Sequence, residues 1–137
     1  MKISFFKIAL VVSVSAITLS SCETDECTGE ICDQSYATIP VILKDTLNKP
    51  YILDSYTVTA QSGGEVLLSK TINPSVDTTG IYVVLSDTEK SKVTKEGVYL
   101  TFVGKKGGNE VVNEPYRIAH DCCHVVIKSG KSLITVK

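Results

Sequence analysis

Residues 98–103 read Val-Tyr-Leu-Thr-Phe-Val, with Val98, Leu100 and Phe102 alternating against Tyr99, Thr101 and Val103. In an extended chain successive side chains point to opposite faces, so this period of two describes a strand with one apolar face. Residues 104–109 (GKKGGN) then supply turn chemistry, and 110–119 resume a strand-like run, so a hairpin is expected around 104–109. One such hairpin does not make a fold. The same grammar repeated in both directions does.

Towards the N-terminus, residues 36–45 (YATIPVILKD) form a β-branched run followed by the turn residues 46–50 (TLNKP). Residues 51–60 (YILDSYTVTA) follow, with Tyr56, Val58 and Ala60 on one face and Thr57 and Thr59 on the other. A break at 61–64 (QSGG) leads to 65–72 (EVLLSKTI), stopped by Asn73-Pro74, and then to 81–85 (IYVVL). Towards the C-terminus, 124–128 and 133–136 read as a last pair around Ser129-Gly130. Seven to eight short strands at this spacing predict an all-β fold, a single antiparallel β-sandwich over residues 35–137. Pro40 lacks an N–H for the ladder and points to an edge or a bulge. Residues 86–97 break the pattern: Ser86 and Glu89 have capping-box spacing, but Val93 is the one apolar residue between them and Gly97, so one or two helical turns or a loop are expected.

The chain opens differently. Lys2 and Lys7 precede an apolar run over 8–19, broken by Ser13, Ser15 and Thr18, and Ser20 and Ser21 precede Cys22. A positive start, a short apolar stretch and small residues are the three parts of an export signal, and the 12 residues 8–19 fall short of the roughly 20 needed to span a bilayer. Leu19-Ser20-Ser21-Cys22 resembles the lipobox of bacterial lipoproteins. That resemblance implies removal of residues 1–21, lipidation (palmitate among the acyl chains) of Cys22, and a membrane partner through this anchor. Loss of Lys2 and Lys7 with the signal leaves 12 basic against 15 acidic side chains, net −3, on 116 residues. A mildly acidic chain of this size suits one domain and gives nucleic acid no basic face.

Residues 22–34 make a second zone. Glu23, Asp25, Glu26, Glu30 and Asp33 follow Cys22 with no basic residue until Lys44, so the segment reads as a solvated tether. An acidic run after a lipidated cysteine resembles the surface-export signal of Bacteroidota-type lipoproteins. It implies an outer-membrane location facing the cell exterior, with the periplasmic face as the alternative. Residues 39–51 (IPVILKDTLNKPY) resemble the opening of transthyretin-like and carboxypeptidase-regulatory-like sandwiches. An immunoglobulin-like sandwich is the rival, although the absence of Trp removes the core marker of antibody domains. More broadly, the chain is similar to small Bacteroidota lipoproteins with an N-terminal cysteine pair and an Asp-Cys-Cys-His segment near the C-terminus.

With Cys22 given to lipid, Cys27, Cys32, Cys122 and Cys123 remain, an even number in an exported chain, which favours disulfides. Three connectivities are open. A vicinal Cys122–Cys123 bridge is strained, so two long bridges from the tether to the loop before the last strands are preferred, with Cys32–Cys122 or Cys32–Cys123 at their centre. Closing roughly 90 residues contributes on the order of 4 kcal/mol by chain entropy. His120, Cys122, Cys123 and His124 also form the densest set of metal-ligating types, suited to zinc or copper, but their spacing is poor and disulfides would consume the thiols.

Catalytic motifs are missing: there is no Gly-x-Ser-x-Gly, His-Glu-x-x-His or phosphate loop. Asp54, Asp77 and Asp87 fall at strand ends or turns, where Asp commonly holds backbone. Six tyrosines (Tyr36, Tyr51, Tyr56, Tyr82, Tyr99, Tyr116) offer a glycan-stacking platform, although strand tyrosines are more often core residues. The expectation is a non-enzymatic, cofactor-free envelope module that meets another protein. The alternative is a small-ligand binder, taking glycan through exposed tyrosines or metal through the 120–124 cluster.

Overall fold

Alternation in the sequence becomes alternation in burial over residues 38–44, 55–60 and 98–104. The computed structural model of the protein describes Cys27 and residues 29–137. The signal segment, Cys22 and the 23–26 part of the acidic run lie outside the described residues. The strands are β1 Thr38–Lys44, β2 Ser55–Ala60, β3 Val66–Thr71, β4 Ile81–Ser86, β5 Val98–Lys106, β6 Asn109–His120, β7 Val125–Ser129 and β8 Leu133–Thr135, with a 3-10 helix at Asp87–Lys92. They form a three-stranded sheet, β4-β1-β8, packed on a five-stranded sheet, β3-β2-β5-β6-β7. Tyr56, Val58 and Ala60 of β2 are buried, as are Leu100 and Phe102 of β5, while Thr57, Thr59, Tyr99, Thr101 and Val103 are not. The all-β sandwich expected from period-two patterning is the fold.

Burying these faces sets the core. The rings of Tyr56, Tyr82 and Phe102 pack together, with Tyr56 5.5 Å from Tyr82 and 5.2 Å from Phe102. Tyr82 satisfies its buried hydroxyl by donating to Tyr51 O at 3.0 Å and accepting from Leu53 N–H at 2.8 Å. That pair fixes residues 51–54, which the sequence pattern assigned to a strand. They are instead an irregular segment that enters β2 only at Ser55, and Leu53 plugs the core fully buried.

Three further local expectations are corrected or refined. The hairpin expected to turn at 104–109 turns only at Gly107-Gly108, and Gly104 lies inside β5, packed under Leu53. The run 124–128 and the run 133–136 do not pair. Beyond Ser129 the chain keeps its direction and changes sheet through residues 130–132, so β8 lies parallel to β1, Ile42 opposite Leu133. The sandwich is therefore not wholly antiparallel. Gly130, at φ +131 and against the Tyr116 ring, makes the crossing. Pro40 sits at a register shift between β1 and β4, and β8 pairs only with Ile42–Lys44, so at Pro40 β1 has one neighbour and an N–H is not needed.

The sandwich has two distinct ends. At one, here the base, lie Ser86, the 3-10 helix, the 61–64 turn and the loop after His120; at the other, the apex, lie residues 45–50, 73–80 and the Gly107-Gly108 turn. The 12-residue β6 runs from apex to base, about 37 Å at strand rise.

Candidate functional site

The base gathers most of the residues singled out by their chemistry. Between β6 and β7, Asp121 accepts from Cys123 N–H at 3.1 Å and His124 N–H at 2.8 Å through Oδ1, tightening the loop. Those bonds hold its carboxyl below the ordinary range, the His124 N–H contributing most. His120 Nδ1 accepts from Cys122 N–H at 3.1 Å, and Lys90 of the 3-10 helix donates to Cys122 O at 2.7 Å and Cys123 O at 3.2 Å. Cys122 has φ +82. This departure from extended backbone lets two adjacent cysteines face one partner segment, where a flat strand would send them apart.

Both cysteines are bridged to the N-terminal segment: Cys27 to Cys122 and Cys32 to Cys123, with Cα separations of 5.4 and 5.2 Å. The two long bridges are as expected in kind. Cys32 takes Cys123, one of the two partners anticipated for it. Of the alternative metal set His120, Cys122, Cys123 and His124, both cysteines are thus bridged. Sulfurs of Cys27 and Cys122 and a ring nitrogen of His120 lie within 4.8 Å of one another, but both sulfurs belong to one disulfide and are not thiolate donors.

His124 has a different role. Its Nδ1 is 2.7 Å from Asp87 Oδ2 and its Nε2 3.0 Å from Asp33 Oδ1. Asp87 also accepts from Ala37 N–H and Val125 N–H, each at 2.8 Å. The Asp87 hydrogen bond holds the imidazole above its ordinary pKa against burial, with Asp33 adding to it. Burial works to raise Asp87, but the Ala37 N–H, His124 and the Val125 N–H together bring it below the usual carboxylate range. Asp33 is lowered chiefly by the Ser35 hydroxyl and N–H, then by His124. Asp33, Ser35 and Asp87 were not singled out with His124 beforehand. The signal is present once the pairing is known: a Cys32–Cys123 bridge brings the next residues, Asp33 and His124, face to face.

Ser35 Oγ lies 3.3 Å from His124 Nε2, so Ser35, His124 and Asp87 mimic the order of a hydrolytic triad. The chemistry differs. Ser35 Oγ donates to Asp33 Oδ1, and carboxylates on both ring nitrogens favour the protonated imidazole, which makes His124 a poor proton acceptor for Ser35. The arrangement is a clasp: His124 ties the N-terminal segment to the start of the 3-10 helix, beside the two bridges. The capping box within that helix is formed, Ser86 N–H donating to Glu89 Oε2 at 3.1 Å, and Val93 is buried after it.

The tyrosines divide. Tyr56, Tyr82 and Tyr116 are buried, and Tyr51 is half-buried. Tyr36 is 63% exposed with its hydroxyl donating to Ser86 Oγ, and Tyr99 is 55% exposed. Tyr99 borders an open cleft of about 540 Å³ with Gln61, Ser62, Thr94, Gly97 and Val98. Arg117 lies 5.4 Å over the Tyr99 ring and donates through Nη2 to Glu96 O at 2.6 Å. Its buried Nε has no partner among the described residues.

No protein-family model matches the chain, and no curated protein or solved structure matches it either.

Proposed function

We propose that the protein is a lipid-anchored, non-enzymatic module of the bacterial cell envelope, carried on the outer membrane through Cys22 and facing the cell exterior. The observation that carries this reading is Leu19-Ser20-Ser21-Cys22 behind a positively charged, short apolar segment. Two disulfides support it, since such bridges persist in exported proteins and are rare in the reducing cytosol. A structural or protein-docking role, on a transthyretin-like type of sandwich, fits the outer face of the small sheet. There Ile81, Ile42 and Leu133 stand in one cross-strand row, with Ile81 and Leu133 about half exposed. His124, locked between two carboxylates, is unsuited to activate Ser35, in keeping with a non-enzymatic reading.

The test is the N-terminal peptide of the membrane fraction. A diacylglyceryl-modified Cys22 is expected, with Cys22→Ala remaining unprocessed or released from the membrane. Protease treatment of intact cells then separates exterior from periplasmic display. An N-terminus starting elsewhere, without acyl chains, sinks the proposal.

A second reading follows from the Tyr99 cleft. An exposed ring, an amide (Gln61) and two hydroxyls (Ser62, Thr94) over Val98 are the groups that hold a sugar. Titration with envelope oligosaccharides, with Tyr99→Ala as control, is expected to show saturable binding only in the parent protein if this reading holds.

A further inference from the structure

The disulfide Cys27–Cys122 fixes the N-terminal segment to the base of the sandwich at a position only five residues after Cys22. Five residues span at most about 18 Å however they are arranged. The apex lies a further length of β6 away, about 37 Å at strand rise. A second observation sits at the same end. Ile31, between the bridged Cys27 and Cys32, is 97% exposed, the most exposed large apolar side chain among the described residues. A disulfide-closed loop holding an apolar side chain out into solvent, next to a membrane attachment point, has an evident occupant in lipid.

We propose that the base of the sandwich is a lipid-contacting surface: the two bridges shorten the anchor to a five-residue leash and hold Ile31 against the bilayer. This inference rests on lipidation at Cys22. Without the bridges the anchor would be paid out to the start of β1 at Thr38, 16 residues from Cys22 and about 55 Å of reach. The bridges thus set the stand-off of the domain, and residues 45–50, 73–80 and the Gly107-Gly108 turn face away from the membrane.

The chain has no Trp, so single tryptophans report position without background. Ile31→Trp marks the base and Leu47→Trp, at an exposed apical turn, marks the apex. Each acylated mature protein is placed in phosphatidylcholine vesicles carrying brominated lipid, and acylation is verified by mass. Quenching of Ile31→Trp is expected to exceed that of Leu47→Trp severalfold. Insertion of ten Gly/Ser residues between Asp25 and Glu26, which touches neither bridge nor core, is expected to weaken it. Equal quenching at both positions, or an unquenched Ile31→Trp on an acylated protein, overturns the inference while leaving the anchor intact. Quenching that ignores the insertion overturns the leash as its cause. An N-terminus without acyl chains overturns the anchor reading and this inference with it.

Discussion

His124 Nε2 lies 3.0 Å from Asp33 Oδ1, joining by an ion pair two residues that each follow a cysteine of the Cys32–Cys123 bridge. Covalent and ionic ties thus converge on one point of the N-terminal segment, and the ionic tie is the one that responds to pH.

The folded-state pKa of His124 is raised above its ordinary value of about 6.5. Its contribution to stability is therefore complete below that value and lost as pH rises through the raised folded pKa. Asp33 and Asp87 are lowered from about 3.8. Their contribution is complete above that value and lost as pH falls through the lowered ones. The clasp is thus strongest between about pH 4 and 6.5 and weakens on either side. NMR titration of the His124 ring is expected to give a midpoint above 6.5, moving back towards it in Asp33→Asn. A thermal-melt series should show the parent losing stability above neutral pH, a loss that His124→Asn lacks. A midpoint at or below 6.5 would contradict the clasp.

The bridges are expected to be strongly non-additive. Each closes a long loop, with sequence separations of 95 and 91, but they are adjacent, so either one alone already closes it. Removing one pair, Cys27→Ser with Cys122→Ser or Cys32→Ser with Cys123→Ser, then opens only the small ring between them, at about 2 kcal/mol. Removing all four costs about 7 kcal/mol by chain entropy. Urea denaturation of the three variants measures this. Two pairwise losses that add up to the fourfold loss would show the bridges acting independently.

Asp87 is expected to matter more than its place on a short polar helix suggests. Its carboxylate takes the N–H groups of Ala37, before β1, and Val125, at the start of β7, besides His124. Asp87→Ala leaves those N–H groups without their acceptor and is expected to destabilise by about 2–3 kcal/mol. Asp33→Ala, at an exposed position, should cost much less. Equal effects in chemical denaturation would mean that the backbone bonds are not what Asp87 supplies.

These cases mark what was legible in the sequence. Strands with one buried face, such as β2 and β5, declare themselves because burial and backbone share a period of two. Asp87 and Asp54 were readable as backbone-holding acids, and Asp54 does accept from Gly107 N–H at 2.6 Å. The clasp was not readable, because Asp33, Asp87 and His124 lie far apart in sequence: the Cys32–Cys123 pairing brings Asp33 to His124, and the packing of the 3-10 helix on the start of β7 brings Asp87. The parallel β8 was hidden for a related reason. Ser129-Gly130 serves a hairpin or a change of sheet equally well, and the packing of Gly130 on Tyr116 decides between them. Residues 51–54 misled because they run directly into β2 and are apolar, yet Leu53 fills the core from an irregular segment whose backbone bonds go to separate partners, Tyr51 N–H to Leu43 O and Asp54 N–H to Lys105 O.

That same Leu53 supplies the last test. Gly104 was read as part of a hairpin turn, yet a Cβ at this position would meet Leu53 Cδ1 at 2.7 Å and Cδ2 at 3.0 Å, and Leu53 is fully buried. The glycine is needed for space, since its φ is not in the left-handed region. Gly104→Ala overpacks the site and is expected to cost about 1–3 kcal/mol. Leu53→Ala empties it, at about 2–5 kcal/mol. Because the added methyl enters the volume that the leucine vacates, the double variant should lose clearly less than the two single losses combined. Denaturation midpoints of the four proteins close the cycle. Strict additivity would show that Gly104 and Leu53 do not share one cavity.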